Sequence, residues 1–129
     1  MLKQLFLISS LLLLTTICSA QADPETPRWM RGNWENTEDV KSTLTITDKL
    51  IIERYNGALI DTFSYKLSYN TRCDTATKDA LPINAVFLIE TSIHSGYSYC
   101  YAIIMDGYNS LTLKYLFNGY EAVFNRRKE

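Results

Sequence analysis

The sequence predicts an all-β fold, a single antiparallel up-and-down barrel of about eight strands that follows a cleaved signal peptide. Short segments alternate apolar and polar residues with a period of two, and tight-turn dipeptides separate many of them. No segment has the helical period over a useful length. Closure into a barrel is favoured because it removes exposed edge strands, and a two-sheet sandwich is the alternative arrangement.

The first half of the chain is expected to form four strands, and the last two of them flank the strongest hairpin signal in the chain. One strand is expected over 33–38, and a second around Leu44 and Ile46, which alternate with threonines. A third runs over 49–55 and ends at Asn56-Gly57, whose residues both tolerate positive φ. The fourth has a polar face and an apolar face, and the apolar face carries Leu59, Phe63, Tyr65, Leu67 and Tyr69.

The second half of the chain begins with the longest predicted loop, Asn70 to Pro82, which contains Cys73. A strand follows over 83–91, and His94-Ser95-Gly96 turns the chain. The strand over 97–105 has apolar or aromatic residues on both faces, so both faces are expected to be covered over part of its length. Turns at Asp106-Gly107 and Asn118-Gly119 lead into the last strands, 110–116 and 120–127.

Residues 1–22 have the pattern of a secretory signal peptide. A basic start precedes an apolar core of about ten residues, whereas a membrane span needs roughly twenty. Cleavage is expected after Ala22, with Ala20 as the alternative, so the mature domain is 23–129 and no stable membrane span is expected. Acylation of Cys18 competes with this interpretation, but Ile17 stands where lipoprotein processing favours a small side chain.

The mature region is expected to be one secreted or periplasmic domain. Its 107 residues suit a single core, and its 12 basic and 14 acidic residues give no attraction to nucleic acid. Its two cysteines, Cys73 and Cys100, are expected to form a disulfide in an oxidising compartment. A reactive thiol pair is the alternative, but the chain lacks Cys-x-x-Cys spacing and a pattern of neighbouring cations.

The two ends of the mature region carry a family resemblance. Gly32-Asn33-Trp34 opens the first strand, and Phe124-Asn125-Arg126 belongs to the last. This layout resembles the lipocalin and calycin barrels, and it favours their short bacterial lipocalin-like relatives because the Thr-Asp-Tyr-type motif of larger carriers is missing. The resemblance implies that Trp34 closes one end of the barrel, that Arg126 lies across its ring, and that Gly32 leaves room beside them.

A second resemblance centres on Ser95-Gly96-Tyr97-Ser98-Tyr99. Its Ser-Gly-x-x-Tyr pattern is similar to that of bacterial periplasmic inhibitors of C-type lysozyme, and Gly119-Tyr120-Glu121-Ala122 resembles their Gly-x-Glu-Ala. An extra hairpin separates the two motifs here, and Asn118 stands where that family has a lysine. The resemblance implies a protein-binding loop of Ser95, Gly96, Tyr97 and Tyr99, and an ordinary hairpin turn is the alternative.

Residues typical of metal sites and catalytic triads are sparse. His94 is the only histidine, and it is expected in an exposed turn, so a His-rich metal site cannot form. Asp74 and Asp79 lack the alternating carboxylates and central glycine of a calcium loop. Neither a metal nor a cofactor is expected.

One carboxylate pair invites comparison with glycosidases. Glu53 and Asp61 can face each other across the Asn56-Gly57 hairpin. Such carboxylates are usually solvated partners of nearby cations, and here Arg54 and Lys66 are expected to be those cations. Enzyme activity is therefore not expected.

Two functions are expected from these patterns. The first is a secreted, non-enzymatic, lipocalin-like barrel that binds a small apolar or amphipathic molecule. Tyrosine suits such a cavity because its ring is apolar and its tip is polar, although it also favours strands in general. The candidate cavity residues are Phe63, Tyr65, Leu67, Tyr99 and Tyr101. The alternative is a periplasmic inhibitor that binds a protein through the Ser95 to Tyr99 loop.

Overall fold

Eight antiparallel strands close into a barrel. The computed structural model describes residues 28–69, 73, 86–105 and 107–128. Each strand pairs with the next along the chain and the last pairs with the first, which confirms the predicted all-β up-and-down barrel. The strands are β1 (Gly32–Asn36), β2 (Ser42–Ile46), β3 (Leu50–Tyr55), β4 (Ala58–Ser68), β5 (Val86–Ser92), β6 (Ser98–Met105), β7 (Ser110–Tyr115) and β8 (Glu121–Arg126).

The strand order gives the barrel two different ends. The connections β1–β2, β3–β4, β5–β6 and β7–β8 lie at one end, here called the mouth. The turn over 28–30 and the connections β2–β3 and β6–β7 lie at the other end, the base. At the mouth, Asn56 has a φ of 49° and Gly57 a φ of 82°. The two-residue turn that matches the twist of paired strands requires positive φ at both central residues, so the predicted turn is confirmed.

Large side chains fill the barrel toward the base. Trp34 and Met30 are fully buried, and the indole Nε1 of Trp34 donates a hydrogen bond to the carbonyl oxygen of Met30 at 3.0 Å. The guanidinium of Arg126 lies over the Trp34 ring. The base is therefore closed by packed rings and chain. Further buried members of the same core are Leu44, Ile46, Ile51, Phe63, Leu88, Ile103, Leu111, Leu113 and Phe124.

A second, smaller apolar cluster lies on the outer face of the barrel. Phe87, Ala102 and Leu116 are buried there, and the bonded cysteines Cys73 and Cys100 pack against them. The disulfide predicted from the cysteine count is thus confirmed, with the two Cα atoms 5.8 Å apart. This cluster explains the apolar residues on both faces of β6, because one face points into the barrel and the other is covered by the cluster.

The apolar face predicted for β4 is only partly packed. The register between β3 and β4 shifts between Glu53 and Arg54, which indicates a bulge near the mouth. Leu59 pairs with Arg54 beside this bulge and is 57% exposed, and Tyr69 is 49% exposed just beyond the strand. The central members of the face, Phe63, Tyr65 and Leu67, do pack in the core.

Several predicted features lie outside the described residues. These are the signal peptide over 1–22 with Cys18, the turn residue Asp106, and the loop Asn70 to Pro82 apart from Cys73. Asp74 and Asp79, considered above as calcium ligands, fall in that loop. No helix with the length and apolar character of a membrane span occurs among the described residues.

Candidate functional site

A cavity of about 260 Å³ occupies the interior of the barrel near the mouth. Its walls combine aromatic rings, aliphatic side chains and two carboxyl groups. An apolar cavity of roughly 150 Å³ can hold benzene, so this space is sufficient for one ring and a short chain. The rings that line it belong to Phe63, Tyr101, Tyr115, Tyr120 and Phe124.

Small side chains on two strands of the wall leave room for the cavity. Toward the base, the large side chains of Trp34 and Met30 are fully buried inside the barrel. Nearer the mouth, Ser42 and Ala122 occupy wall positions, and neither fills the space in front of it. Small residues on the inner wall of a barrel leave room for a ligand.

Glu90 is the most deeply buried charged group of the cavity wall. It is 5% exposed, on the inner face of β5, and lies in register with Tyr65 on β4 and Tyr99 on β6. Burial, together with the negative charges of Glu53 and Asp61, raises the pKa of Glu90 to about 8, and a hydrogen bond with Tyr101 opposes this shift. Glu90 is thus protonated over much of the neutral range when the cavity is empty.

Glu53 adds a second carboxyl group to the same wall. Burial raises its pKa, and the charge of Asp61 on the neighbouring strand raises it further. In the described part of the chain, neither Glu53 nor Glu90 forms an ion pair. Arg54 instead donates a hydrogen bond from Nη1 to Oγ1 of Thr45 at 3.1 Å on the outside. The expectation that Arg54 neutralises Glu53 is therefore wrong, because neighbouring residues of a strand face opposite ways.

The carboxylate of Asp61, unlike those of the two glutamates, is occupied by hydrogen bonds within the protein. Its carboxylate accepts hydrogen bonds from Ser92 Oγ at 2.9 and 3.2 Å and from the backbone N–H of Thr62 at 2.7 Å. Ser92 Oγ in turn accepts a hydrogen bond from the backbone N–H of Ser95 at 3.2 Å. Asp61 therefore holds the β5–β6 connection in place, and Glu53 and Glu90 remain as the groups open to a ligand.

Aromatic rings form a continuous wall across β4, β6 and β7. The rings of Tyr101 and Tyr115 are 5.3 Å apart, and those of Tyr99 and Tyr115 are 6.2 Å apart. Phe63 meets Tyr99 edge to face at 6.2 Å. Burial and the charge of Glu90 raise the pKa of Tyr101, so its hydroxyl stays protonated and serves as a hydrogen-bond donor. This wall can accept the face of an apolar or cationic ligand group.

The five residues predicted to line a cavity all lie inside the barrel, but only two reach the open space. Phe63 and Tyr101 line it, whereas Tyr65, Leu67 and Tyr99 pack in the core beside it. The sequence reasoning did not single out Glu90. The alternation of β5 contained the signal, because Leu88, Glu90 and Ser92 share one face and Leu88 is a typical core residue.

The loop of the alternative prediction lies at the mouth. Tyr97 is 71% exposed, and its backbone N–H donates a hydrogen bond to Oγ of Ser95 at 3.2 Å. Gly96 has a φ of 75°, which lets the chain turn between them. Tyr99 is separated from this group because its ring packs inside the barrel. His94 is exposed in the same turn.

Exposed apolar side chains are concentrated around the mouth. Of the ten large hydrophobic residues that are exposed in the described part of the chain, eight lie in or beside the four mouth connections, and Tyr69 and Tyr108 are near the base. We call these eight the mouth rim. They are Val40, Tyr55, Leu59, Ile60, Ile93, Tyr97, Phe117 and Tyr120. Apolar side chains gathered at one end of a molecule are typical of a contact surface.

Among the residues described, no group of three or more His, Cys, Asp or Glu side chains is placed to hold a metal ion.

Comparison with known proteins adds no relative. No protein-family model matches the chain, no curated protein is similar to it, and no solved structure matches it.

Proposed function

We propose that this protein is a secreted, non-enzymatic, lipocalin-like barrel that binds one small amphipathic molecule in the cavity at its mouth. The observation that carries the proposal is the cavity of about 260 Å³ inside a closed barrel, with ring faces and two carboxyl groups on its wall. Ligand sites in proteins are usually concave, mostly apolar, and fitted with a few polar groups that orient the ligand.

Two further observations support this proposal. The pattern of residues 1–22 favours export, and a disulfide between Cys73 and Cys100 is compatible with an oxidising compartment. The contact between Trp34 and Arg126 at the base is the arrangement that the lipocalin resemblance implies. A barrel closed at the base and hollow near the mouth suits the capture of a small molecule.

A cavity-filling variant tests the proposal. Ala122→Phe places a ring in the cavity, whereas Val123→Phe places the same ring on the opposite face of β8. Titration with an apolar fluorescent dye should show saturable binding that weakens about tenfold or more in Ala122→Phe and stays unchanged in Val123→Phe. Native mass spectrometry of protein from its own source should show a bound small molecule. Absence of both dye binding and a bound molecule would reject the proposal.

The mouth rim favours a second candidate, a periplasmic inhibitor that binds a protein such as a C-type lysozyme. The rim includes Tyr97 of the Ser95 to Tyr99 loop, and Tyr97 and Phe117 are its most exposed rings. Exposed aromatic residues are enriched in protein interfaces.

Lysozyme inhibition assays distinguish this candidate. Inhibition that is lost in Ser95→Ala and Tyr97→Ala, and kept in Tyr69→Ala as an exposed tyrosine near the base, would support it. If the protein leaves every type of lysozyme active, this second candidate function is rejected.

A further inference from the structure

We propose that the cavity selects a small organic cation, a protonated primary amine with a compact apolar body, and that Glu53 and Glu90 are its counter-charges. This inference rests on the proposed function and names its ligand class. It follows from the charges that face the cavity, from the rings on its wall and from its volume.

The charges facing the cavity are all acidic. Glu90 is 5% exposed, and its carboxyl lies on the cavity wall with Glu53. The titratable groups that act on Glu90 from the neighbouring strands are Glu53, Asp61 and Tyr101, and none of them is a base. A buried carboxylate without a cation is costly, so a ligand ammonium group would supply the missing partner.

An anionic ligand meets the opposite situation. It would add a further negative charge to a wall that already repels it, and the described residues that line the cavity include no lysine, arginine or histidine to offset the repulsion. A neutral ligand would leave Glu90 to hold its proton. The electrostatic preference therefore runs from cation to neutral molecule to anion.

The aromatic wall adds a second attraction for a cation. Tyr101 lies in register with Tyr115, and both rings line the cavity with Phe63 and Tyr120. A cation over a ring face is stabilised by about 0.5–2 kcal/mol, more when it is desolvated. A primary ammonium has three donors, so it can bond both carboxyl groups and still face a ring.

The cavity volume limits the apolar body of the ligand. About 260 Å³ accommodates a single ring with a two- or three-atom chain, and it excludes sterols and long acyl chains held in full. An arylalkylamine of the size of phenethylamine fits this description. The rim tyrosine Tyr120, which also lines the cavity, is placed to cover such a ring from the mouth.

Proton linkage gives the proposal a pH signature. With the pKa of Glu90 near 8 in the empty barrel, binding of an ammonium must displace the proton from this carboxyl. The ligand amine itself stays protonated up to about pH 10. Amine affinity should therefore rise as the pH increases from about 6 to 8.5, by about tenfold or more.

Calorimetry with three matched probes tests the proposal. At pH 8.5, phenethylamine should bind about tenfold or more tightly than its neutral analogue phenethyl alcohol, and phenylacetate should bind least. Glu90→Gln and Glu53→Gln should each weaken amine binding about tenfold and leave alcohol binding within about twofold. Glu121→Gln removes an exposed charge from the first residue of β8 and should change neither. Glu90→Gln should also abolish the rise of amine affinity with pH.

The outcomes separate this inference from the proposed function. If the alcohol or the dye binds but the amine binds no better, the cation proposal is wrong and the cavity remains a binding site. If amine binding is unchanged in both glutamine variants, verified as folded by circular dichroism, the counter-charge role is wrong. If neither the dye nor any of the three probes binds, the proposed function falls with it.

Discussion

The guanidinium carbon of Arg126 lies 4.2 Å from the centroid of the Trp34 ring. The same group lies 4.2 Å from the ring of Tyr108, so it is held between two aromatic faces. Its Nη1 donates a hydrogen bond to the carbonyl oxygen of Arg31 at 2.6 Å, and Nη2 donates to that of Trp29. One side chain of β8 thus joins the turn before β1, the buried indole and the β6–β7 connection. We call this set of contacts the clamp.

Arg126→Lys should destabilise the barrel by about 2–4 kcal/mol, even though the charge is kept. A lysine ammonium cannot bond two carbonyl oxygens in the fork geometry of a guanidinium and stack flat between two rings at the same time. Urea unfolding followed by tryptophan fluorescence measures the loss. Arg127→Lys is the control, because Arg127 is 55% exposed and its contact with Glu35 is 3.7 Å long, and it should cost under about 0.5 kcal/mol. Equal losses in the two variants would contradict the clamp.

Gly32 is required beside this clamp for two reasons that a double-mutant cycle can separate. Its φ is +131°, and an added Cβ would lie 2.6 Å from Nη1 of Arg126. Gly32→Ala should therefore cost about 2–4 kcal/mol, and less in an Arg126→Ala background where only the backbone strain remains. Gly96 has a φ of +75°, and an added Cβ there would have no atom within 4 Å. Gly96→Ala should therefore cost only about 1–2 kcal/mol. A Gly32→Ala cost that is the same with and without Arg126 would refute the steric role.

The fold was predictable because two simple signals agree along the chain. The period of two gave the strands, and dipeptides such as Asn56-Gly57 gave the connections between them. The bulge was not predictable: its extra residue is Ile60 of β4, opposite Glu53 and Arg54, and no glycine or turn residue between Leu59 and Asp61 marks it in the sequence. Exposure of Leu59 follows from that bulge rather than from its residue type.

The candidate site was only half predictable. Aromatic residues on β4 and β6 pointed to the interior, and Phe63 and Tyr101 do line the cavity. Which inner residues reach open space depends on the size of side chains from strands distant in sequence, such as Ala122 on β8. The acidity of the cavity was hidden because Glu53 stands next to Arg54 in the sequence, although the two side chains lie on opposite faces of the wall.

Loss of the disulfide should lower stability without altering ligand binding. Cys73 and Cys100 are 27 residues apart, and in the chain-entropy model closing such a loop contributes about 3.5 kcal/mol. The bridge packs with Phe87, Ala102 and Leu116 outside the barrel, away from the cavity. Replacement of both cysteines by alanine should lower the free energy of unfolding by about 2–4 kcal/mol, measured in urea, and leave dye affinity within about twofold. A large loss of affinity in the folded variant would show that the outer cluster shapes the cavity.

Stability should fall as the pH rises through the range set by Glu90. The pKa of this carboxyl is about 8 in the folded protein and 4.5 as its ordinary value, so between these values the folded state holds a proton that the unfolded state has released. The unfolded state binds fewer protons in this range, and the free energy of unfolding therefore decreases with increasing pH. Full stability is present below about pH 4.5, and the loss is complete above about pH 8.

The size of this loss is on the order of a few kcal/mol, with Glu53 contributing in the same direction because its pKa is also raised. Unfolding in urea at pH 5.5 and pH 8.5, in the absence of ligand, measures it. Glu90→Gln cannot ionise and keeps the shape of the side chain, so this variant should lose most of the pH dependence and be more stable than the parent at pH 8.5. Glu121→Gln, at an exposed position, should keep the parent's dependence. A parent protein whose stability stays level from pH 5.5 to 8.5 would contradict the prediction, because a Glu90 carboxyl that is compensated in the folded state is ionised in both states over this range and gives no slope.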